Sequence, residues 1–444
     1  MKKKLIIAVL SLTVLFTACQ KTETKEAETT PTETVEVTET QETEKEAETV
    51  EQQEPALPEI EKVRGVWFSY YDWIEMQTDD EETFRKNAVA VMDKLTENHL
   101  NTIIVHVHSH SDSYYPSKYF PMSMYCTGKM GKGLSYDPLS IMIEEAHAKG
   151  IRIHAWMNPY RVTFSGGESV DGSLKFDGVK WEYIPEDSIV KQWKNSESTS
   201  RNVLYHDGQY YLNPSKEEVQ NYLAATVKEL VENYDVDGVH FDDYFYPMVN
   251  DSDASKSFDL QEYYESGSTL SVANWRRENV SKTVALIYKT IKEVDPTVEF
   301  GVSPMGNLEV LKSDNQYFTD IDTWLSDEGY LDYVMPQIYW GFHQKNKDGS
   351  PSPAAYENCL NSWQNLSKHE GLSLYVGLGL YRCGTDAKDN NAVSEWLSNN
   401  DIIARQVKLI EEKDDVSGFC LFDYRDLSRE AAQPEVMNLR EQMF

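Results

Sequence analysis

The densest chemistry in this 444-residue chain lies in Asp237-Gly-Val-His-Phe-Asp-Asp-Tyr-Phe-Tyr-Pro247. Asp237-Gly238 forms a turn, Val239 and Phe241 are strand formers, and Pro247 stops the run. Side chains alternate along a strand, so His240 and Asp242 are expected on one face while Asp243 opens the other. Two carboxyls at a strand tip, followed by Tyr244, Phe245 and Tyr246, suit the cleavage of a sugar. In that chemistry one carboxyl protonates the leaving oxygen and a second group attacks or stabilises the sugar cation. An isolated Asp-Asp pair more often caps a helix or anchors a loop, so its surroundings decide the reading.

From Lys62 onward, short apolar runs alternate with longer helical patterns, the sign of βα units around a parallel sheet. Strands are expected over 64–68, 102–107, 151–157, 237–242, 298–302, 333–338, 374–380 and 418–422. Helices are expected over 83–98, 139–149, 272–294, 354–368 and 402–413. Asp137-Pro138 supplies an N-cap and a first-turn proline for the second of these, and Gly150 ends it. Ser215 with Glu218 spells a capping box for a further helix. Eight alternations predict a (β/α)8 barrel over 61–444.

Connections from helix to strand are short, whereas those from strand to helix, at 109–136, 158–214 and 243–271, are long. In such barrels the long connections build the active face. These loops carry Tyr114, Tyr115, Tyr160, Phe164, Trp181, Tyr183, Trp193, Tyr263 and Tyr264, which serve either as sugar-stacking platforms or as anchors for the loops. Strand tips on the same face add Asn158, Tyr160 and Arg161; Asn307; Gln337, Tyr339 and Trp340; and Asp423. Acids, amides and aromatics on most tips of one face make a site. Asp242 is expected to be the nucleophile or charge stabiliser, and Asp243 the acid, with Asp423 a rival for the second role. The remaining tip residues, with His106, His108, His240 and Tyr244, are expected to bind substrate hydroxyls and acetamido groups.

His106, His108 and His110 alternate as metal ligands on one strand face would. No lysine or further histidine stands on the expected later tips, so they read as hydrogen-bonding rim residues, with no metal or other cofactor expected.

Arg64-Gly-Val-Trp67, Tyr136-Asp-Pro-Leu139, His154-Ala-Trp-Met-Asn-Pro-Tyr-Arg161, Leu212-Asn-Pro214, Asp237–Pro247, Ser303–Asn307 and Pro336–Trp340 together resemble the glycosyl-hydrolase-like family 10 of bacterial lipoproteins. The resemblance spans 62–430 and implies a barrel that trims peptidoglycan glycan strands stripped of their peptides, as a divisome-localised member does. One departure is on the second strand, where members often carry Gln-x-Arg and this chain has His106-Val-His108. The strand-four run is also similar to the chitinase D-x-x-D-x-D-x-E pattern: Asp237 and Asp242 match, while His240 and Tyr244 replace an Asp and the acidic Glu. The chitinase mechanism therefore does not carry over unaltered.

The N-terminus sets the expected location. Lys2–Lys4, the apolar run 5–16 and Phe16-Thr-Ala-Cys19 are similar to a bacterial lipoprotein signal over 1–19, with Cys19 the lipidated residue. Residues 21–60 hold thirteen Glu against three Lys with no apolar periodicity, so 20–60 reads as a disordered, self-repelling stalk. Its span is about 35 Å. Of the net charge of −32, about −25 remains on 61–444, which argues against a nucleic-acid partner. Cys359 and Cys420 read as buried free thiols, and Cys126–Cys383 is the disulfide option left open. The expectation is an exported, lipid-anchored glycoside hydrolase acting on a cell-wall polysaccharide. Its competitors are a non-catalytic glycan-binding lipoprotein on the same barrel and a metal-dependent polysaccharide deacetylase.

Overall fold

The computed structural model describes residues 62–168, 175–252, 257–346, 348–385 and 395–443. The expected signal peptide, Cys19 and the stalk lie outside the described residues. Eight parallel strands close into a barrel in sequence order. They are β1 (Val63–Phe68), β2 (Thr102–His108), β3 (Arg152–Met157), β4 (Gly238–Asp242), β5 (Glu299–Ser303), β6 (Tyr333–Val334), β7 (Ser373–Gly379) and β8 (Gly418–Phe422). Helices Glu81–Glu97, Pro138–Ala148, Glu217–Asn233, Val272–Val294, Ile321–Ser326, Tyr356–Gln364, Ile402–Glu411 and Gln433–Gln442 follow the strands in turn. The barrel expected from the sequence is the fold observed.

The local reasons are legible. Asp137 accepts from Leu139 and Ser140 N–H, with Pro138 in the first turn, and Gly150 takes φ +68° just past the helix end. Strand six is shorter than expected because Pro336 has no N–H to donate, so the ladder breaks after Val334. Pairing persists beyond it through single bridges from Gln337 to Met305 and Gly377. The expected Ser215 capping box does not form. Ser215 instead donates to Asn213 Oδ1 (2.8 Å), and Glu218 is drawn into the loop by Trp193 Nε1 (3.2 Å) and Asn202 Nδ2 (2.6 Å). All four cysteines within the barrel are free and buried, which closes the Cys126–Cys383 option.

Inside the barrel, large rings face glycines. Trp67, Trp156, Tyr333 and Tyr375 form the inner cluster with Ile104, Met335 and Cys420. A Cβ on Gly301 would lie 2.2 Å from the Tyr333 ring, and one on Gly238 would lie 2.6 Å from His154. Gly301→Ala is therefore expected to destabilise the barrel by about 1–3 kcal/mol through overpacking. A lowered midpoint in denaturant titration with an unchanged slope checks it.

The loop aromatics are mostly anchors. Tyr114, Tyr115, Tyr160 and Trp193 are buried in the outer core between barrel and helices, and only Tyr183 and Tyr264 of that set are exposed. Burial of these rings orders the long loops, so they are not the sugar platforms.

Candidate active site

The C-terminal mouth of the barrel holds a cleft of about 170 Å³, small beside the roughly 300–1,000 Å³ of typical ligand pockets. Its floor and walls come from strand ends. Trp67 stands inward on β1 and Trp156 on β3, the latter stacked on His106 of β2. Tyr339 stacks on Phe422 at 5.8 Å between centroids, and both meet Trp67 edge-on. Tyr70 and Tyr71 form the opposite wall with rings 4.4 Å apart. Their helix, Tyr70–Glu75, is launched by the Ser69–Asp72 capping box directly after β1. Arg425 lies 4.4 Å from the Tyr71 ring and pairs with Asp423.

Asp242 ends β4 and lines this cleft, the only carboxylate among the described residues to do so. Its Oδ1 accepts from Gln337 Nε2 (2.8 Å) and from the Asp243 N–H (2.8 Å). Burial raises its pKa, partly offset by those donors and by the charge of Arg161. Asp243 does not line the cleft. The chain turns where β4 ends, so the Asp243 carboxyl comes round to hydrogen-bond with that of Asp242. Burial, then the neighbouring charge of Asp242, pushes its pKa well above the carboxylate range. Of the two carboxyls, Asp243 is thus the one whose surroundings favour the protonated form more strongly.

Beneath Asp242 runs a polar column whose proton directions are fixed by chemistry. Trp67 Nε1–H can only donate, and it points at His240 Nε2 (3.3 Å), so that nitrogen accepts. The proton of His240 is then on Nδ1, donated to Tyr333 Oη (2.9 Å), and Tyr333 donates onward to His154 Nδ1 (3.1 Å). Ser303 Oγ completes the set at 2.9 Å from His240 Nε2. The Ser303 carbonyl shares Gln337 Nε2 (2.9 Å) with Asp242. Burial drives the His240 pKa far below its usual value, so the ring is neutral. His240 thus supports the cleft from one layer below.

The structure brings Asn158, Arg161, Tyr244, Gln337, Tyr339 and His106 into the cleft with Asp242. Other expected residues stand elsewhere. A bulge between His106 and His108 breaks the alternation, and His108 turns onto Phe120 with Nδ1 on Asp112 O (2.7 Å). Tyr160 is buried with its hydroxyl on Thr283 (2.8 Å). Asn307 caps the short helix Leu308–Leu311, accepting from Glu309 and Val310 N–H. Trp340 packs against the outer core. Asp423 is fully buried beside Asp72 and Asp426; burial first, then their charges, raise its pKa well above the ordinary range, and it does not line the cleft. Asp237 sits at the opposite end of β4, where it accepts from Ile153 N–H (2.7 Å) and pairs with His147 (3.1 Å). Its match to the chitinase pattern is architectural.

His106, His108 and His110 diverge onto Trp156, Phe120 and Phe164. Among the described residues no three His, Cys, Asp or Glu side chains converge as a metal set. Tyr70, Tyr71 and Tyr381 line the cleft without having been expected there. The signal for the first two was the Ser69-x-x-Asp72 box directly after a strand.

Comparisons with known proteins agree with this architecture. Residues 62–397 match the family described as glycosyl hydrolase-like 10. Glycosyl hydrolase DigH of Escherichia coli K12 is 32% identical over 403 residues, covering 85% of this chain and 86% of that protein. Glycosyl hydrolase YngK of Bacillus subtilis 168 is 30% identical over 389 residues, covering 83% of this chain and 69% of YngK. Among solved structures, the PgaB (BpsB) glycoside hydrolase domain from Bordetella bronchiseptica shares the fold with a TM-score of 0.51 at 14% identity, covering 86% of this chain and 99% of that one. By the extent of that family match and the length over which these relatives align, the chain belongs to the glycosyl hydrolase-like 10 family.

Proposed function

We propose that the protein is a glycoside hydrolase that cuts amino-sugar glycan strands of the peptidoglycan type at the outer face of the cytoplasmic membrane. The observation that carries this reading is the coupled Asp242–Asp243 pair, with Asp242 set in an aromatic cleft at the barrel mouth. The proton resting on Asp243 crosses to Asp242, which presents it to the glycosidic oxygen. Its donation leaves two negative charges beside the developing sugar cation, which they stabilise. Arg161 offsets part of that charge. The doubly charged pair is then a strong base and takes a proton from the water that attacks the sugar cation. Trp67, Tyr339 and Phe422 offer apolar ring faces to the sugar, and Gln337 and Asn158 offer amide groups to its polar substituents. The family membership and the likeness to DigH and YngK support the glycan as the occupant.

The test is incubation of the protein with amidase-stripped peptidoglycan strands and with chitooligosaccharides. New reducing ends support hydrolysis, whereas tight oligosaccharide binding without new ends makes the barrel a glycan-binding platform. Export, lipidation at Cys19 and the 20–60 stalk complete the reading, holding the barrel off the membrane within reach of the wall. Cys19→Ser is expected to move the protein from the membrane to the soluble fraction on cell fractionation. Retention in the membrane would overturn the anchor.

A further inference from the structure

Arg161 is the only lysine or arginine lining the cleft among the described residues. Most arginines elsewhere are matched to acids, among them Arg201 to Glu262, Arg276 to Asp251 and Asp259, Arg425 to Asp423, and Arg429 to Asp426. Arg161 breaks that habit. Among the described residues its guanidinium has no hydrogen-bond or ion-pair partner, and only its backbone carbonyl is used, by Ser111 Oγ (3.2 Å). What holds the side chain is aromatic: its terminal carbon lies 3.5 Å from the Tyr244 ring centroid and 5.4 Å from that of Phe164. Stacking fixes a guanidinium by its face and leaves its N–H edge free. Asp242 is near enough to feel the charge but forms no ion pair with it, and its Oδ1 accepts instead from Gln337 and the Asp243 amide. A pre-positioned fork of five donors without an acceptor, in a chain of net charge −32, calls for an anion from outside. The planar, two-oxygen partner that the fork fits best is a carboxylate.

We propose that Arg161 reads a free carboxylate on the glycan and so determines which strands the cleft accepts. The matching sugar is one whose carboxyl is unconjugated, such as a muramyl residue whose lactyl group carries no peptide, or a hexuronic acid. Amide linkage to a peptide removes the charge and one acceptor oxygen, so a substituted sugar loses this contact. The proposal rests on the glycan-cleaving reading for its substrate but not for its test, which is a binding measurement.

Calorimetric Kd values on the full-length protein in detergent would compare four oligosaccharides. They are peptide-free muramyl strands, the same strands with the lactyl carboxyl converted to a methylamide, a hexuronic-acid oligosaccharide, and a neutral chitooligosaccharide. The free acid is expected to bind about tenfold or more tighter than the methylamide, the scale of a hydrogen-bonded charged pair. Arg161→Gln should erase that difference while changing the neutral ligand by less than about twofold, and Arg161→Lys, which keeps the charge but loses the fork, should retain part of it. Preference for the muramyl acid alone, for the hexuronic acid alone, or for both supports the proposal and names the source of the carboxylate. Equal binding of acid and methylamide by the wild type would overturn it. So would an Arg161→Gln variant that weakens all four ligands alike, since that marks Arg161 as a prop for Tyr244. Carboxylate discrimination without hydrolysis sinks the hydrolase reading alone, and hydrolysis without discrimination sinks this one alone.

Discussion

Asp242→Asn is expected to lower kcat by about a thousandfold or more while leaving the Kd for oligosaccharide within about threefold. The substitution keeps the shape of the side chain and a hydrogen-bonding oxygen for Gln337 Nε2 and the Asp243 N–H, so the cleft should stay assembled. What it removes is the one carboxyl in the cleft that can give and retake a proton. A loss confined to kcat marks a group acting in the transition state, whereas a comparable loss in Kd would mark a binding residue. Single-turnover rates and calorimetric Kd values on the same chitooligosaccharide separate the two.

Asp243→Asn is expected to do something different. Its carboxyl meets Asp242 and not the cleft, so Asp243 acts through its neighbour as a positioning and proton-storing residue. The active pair holds one proton, and activity disappears as pH rises and that proton leaves. In the wild type the alkaline limb belongs to the pair, held high by burial and by the mutual charge that raises Asp243 well above the carboxylate range. With Asn at 243, Asp242 alone must hold the proton. Its own pKa is raised less far, and the like charge that elevated the pair has gone. The alkaline limb of kcat/KM should therefore move to lower pH, by about one unit or more, with kcat at neutral pH reduced about a hundredfold. An unshifted limb would show that the two carboxyls do not share a proton.

Much of this site was legible from residue order alone. Alternation put His240 and Asp242 inward, and both are inward. The long strand-to-helix loops marked the face that carries the cleft. What misled was chemistry that serves two ends. Asn307 has the type and place of a substrate ligand, yet an Asn just before a helix satisfies the helix's free N–H groups, and that use won. Tyr160 follows Asn158 on the same tip, but its ring is drawn into the outer core and its hydroxyl to Thr283. Asp423 shared the tip position of Asp242, and only tertiary packing shows that its company is Asp72, Asp426 and Arg425. His108 was lost to a bulge, which no two-residue periodicity reveals. The turn after Asp242 had the opposite effect. Strict alternation separates the two acids, and only the end of the strand brings their carboxyls together.

The polar column under the cleft gives His240 a reason for its place. In the chitinase-like pattern an acid stands there, and a second buried charge would need its own counter-charge. The neutral imidazole accepts from Trp67 and donates to Tyr333, so it fixes a cleft-floor indole and the barrel's central phenol at once. That arrangement leaves the ionising chemistry to the Asp242–Asp243 pair above it.

The most direct measurement of the central claim is the release of new reducing ends from amidase-stripped glycan strands by wild type, Asp242→Asn and Asp243→Asn side by side. The wild type is expected to release them, the Asp242 variant to stay near background, and the Asp243 variant to release them slowly and better as the pH is lowered. Release at the wild-type rate by both variants would contradict the claim.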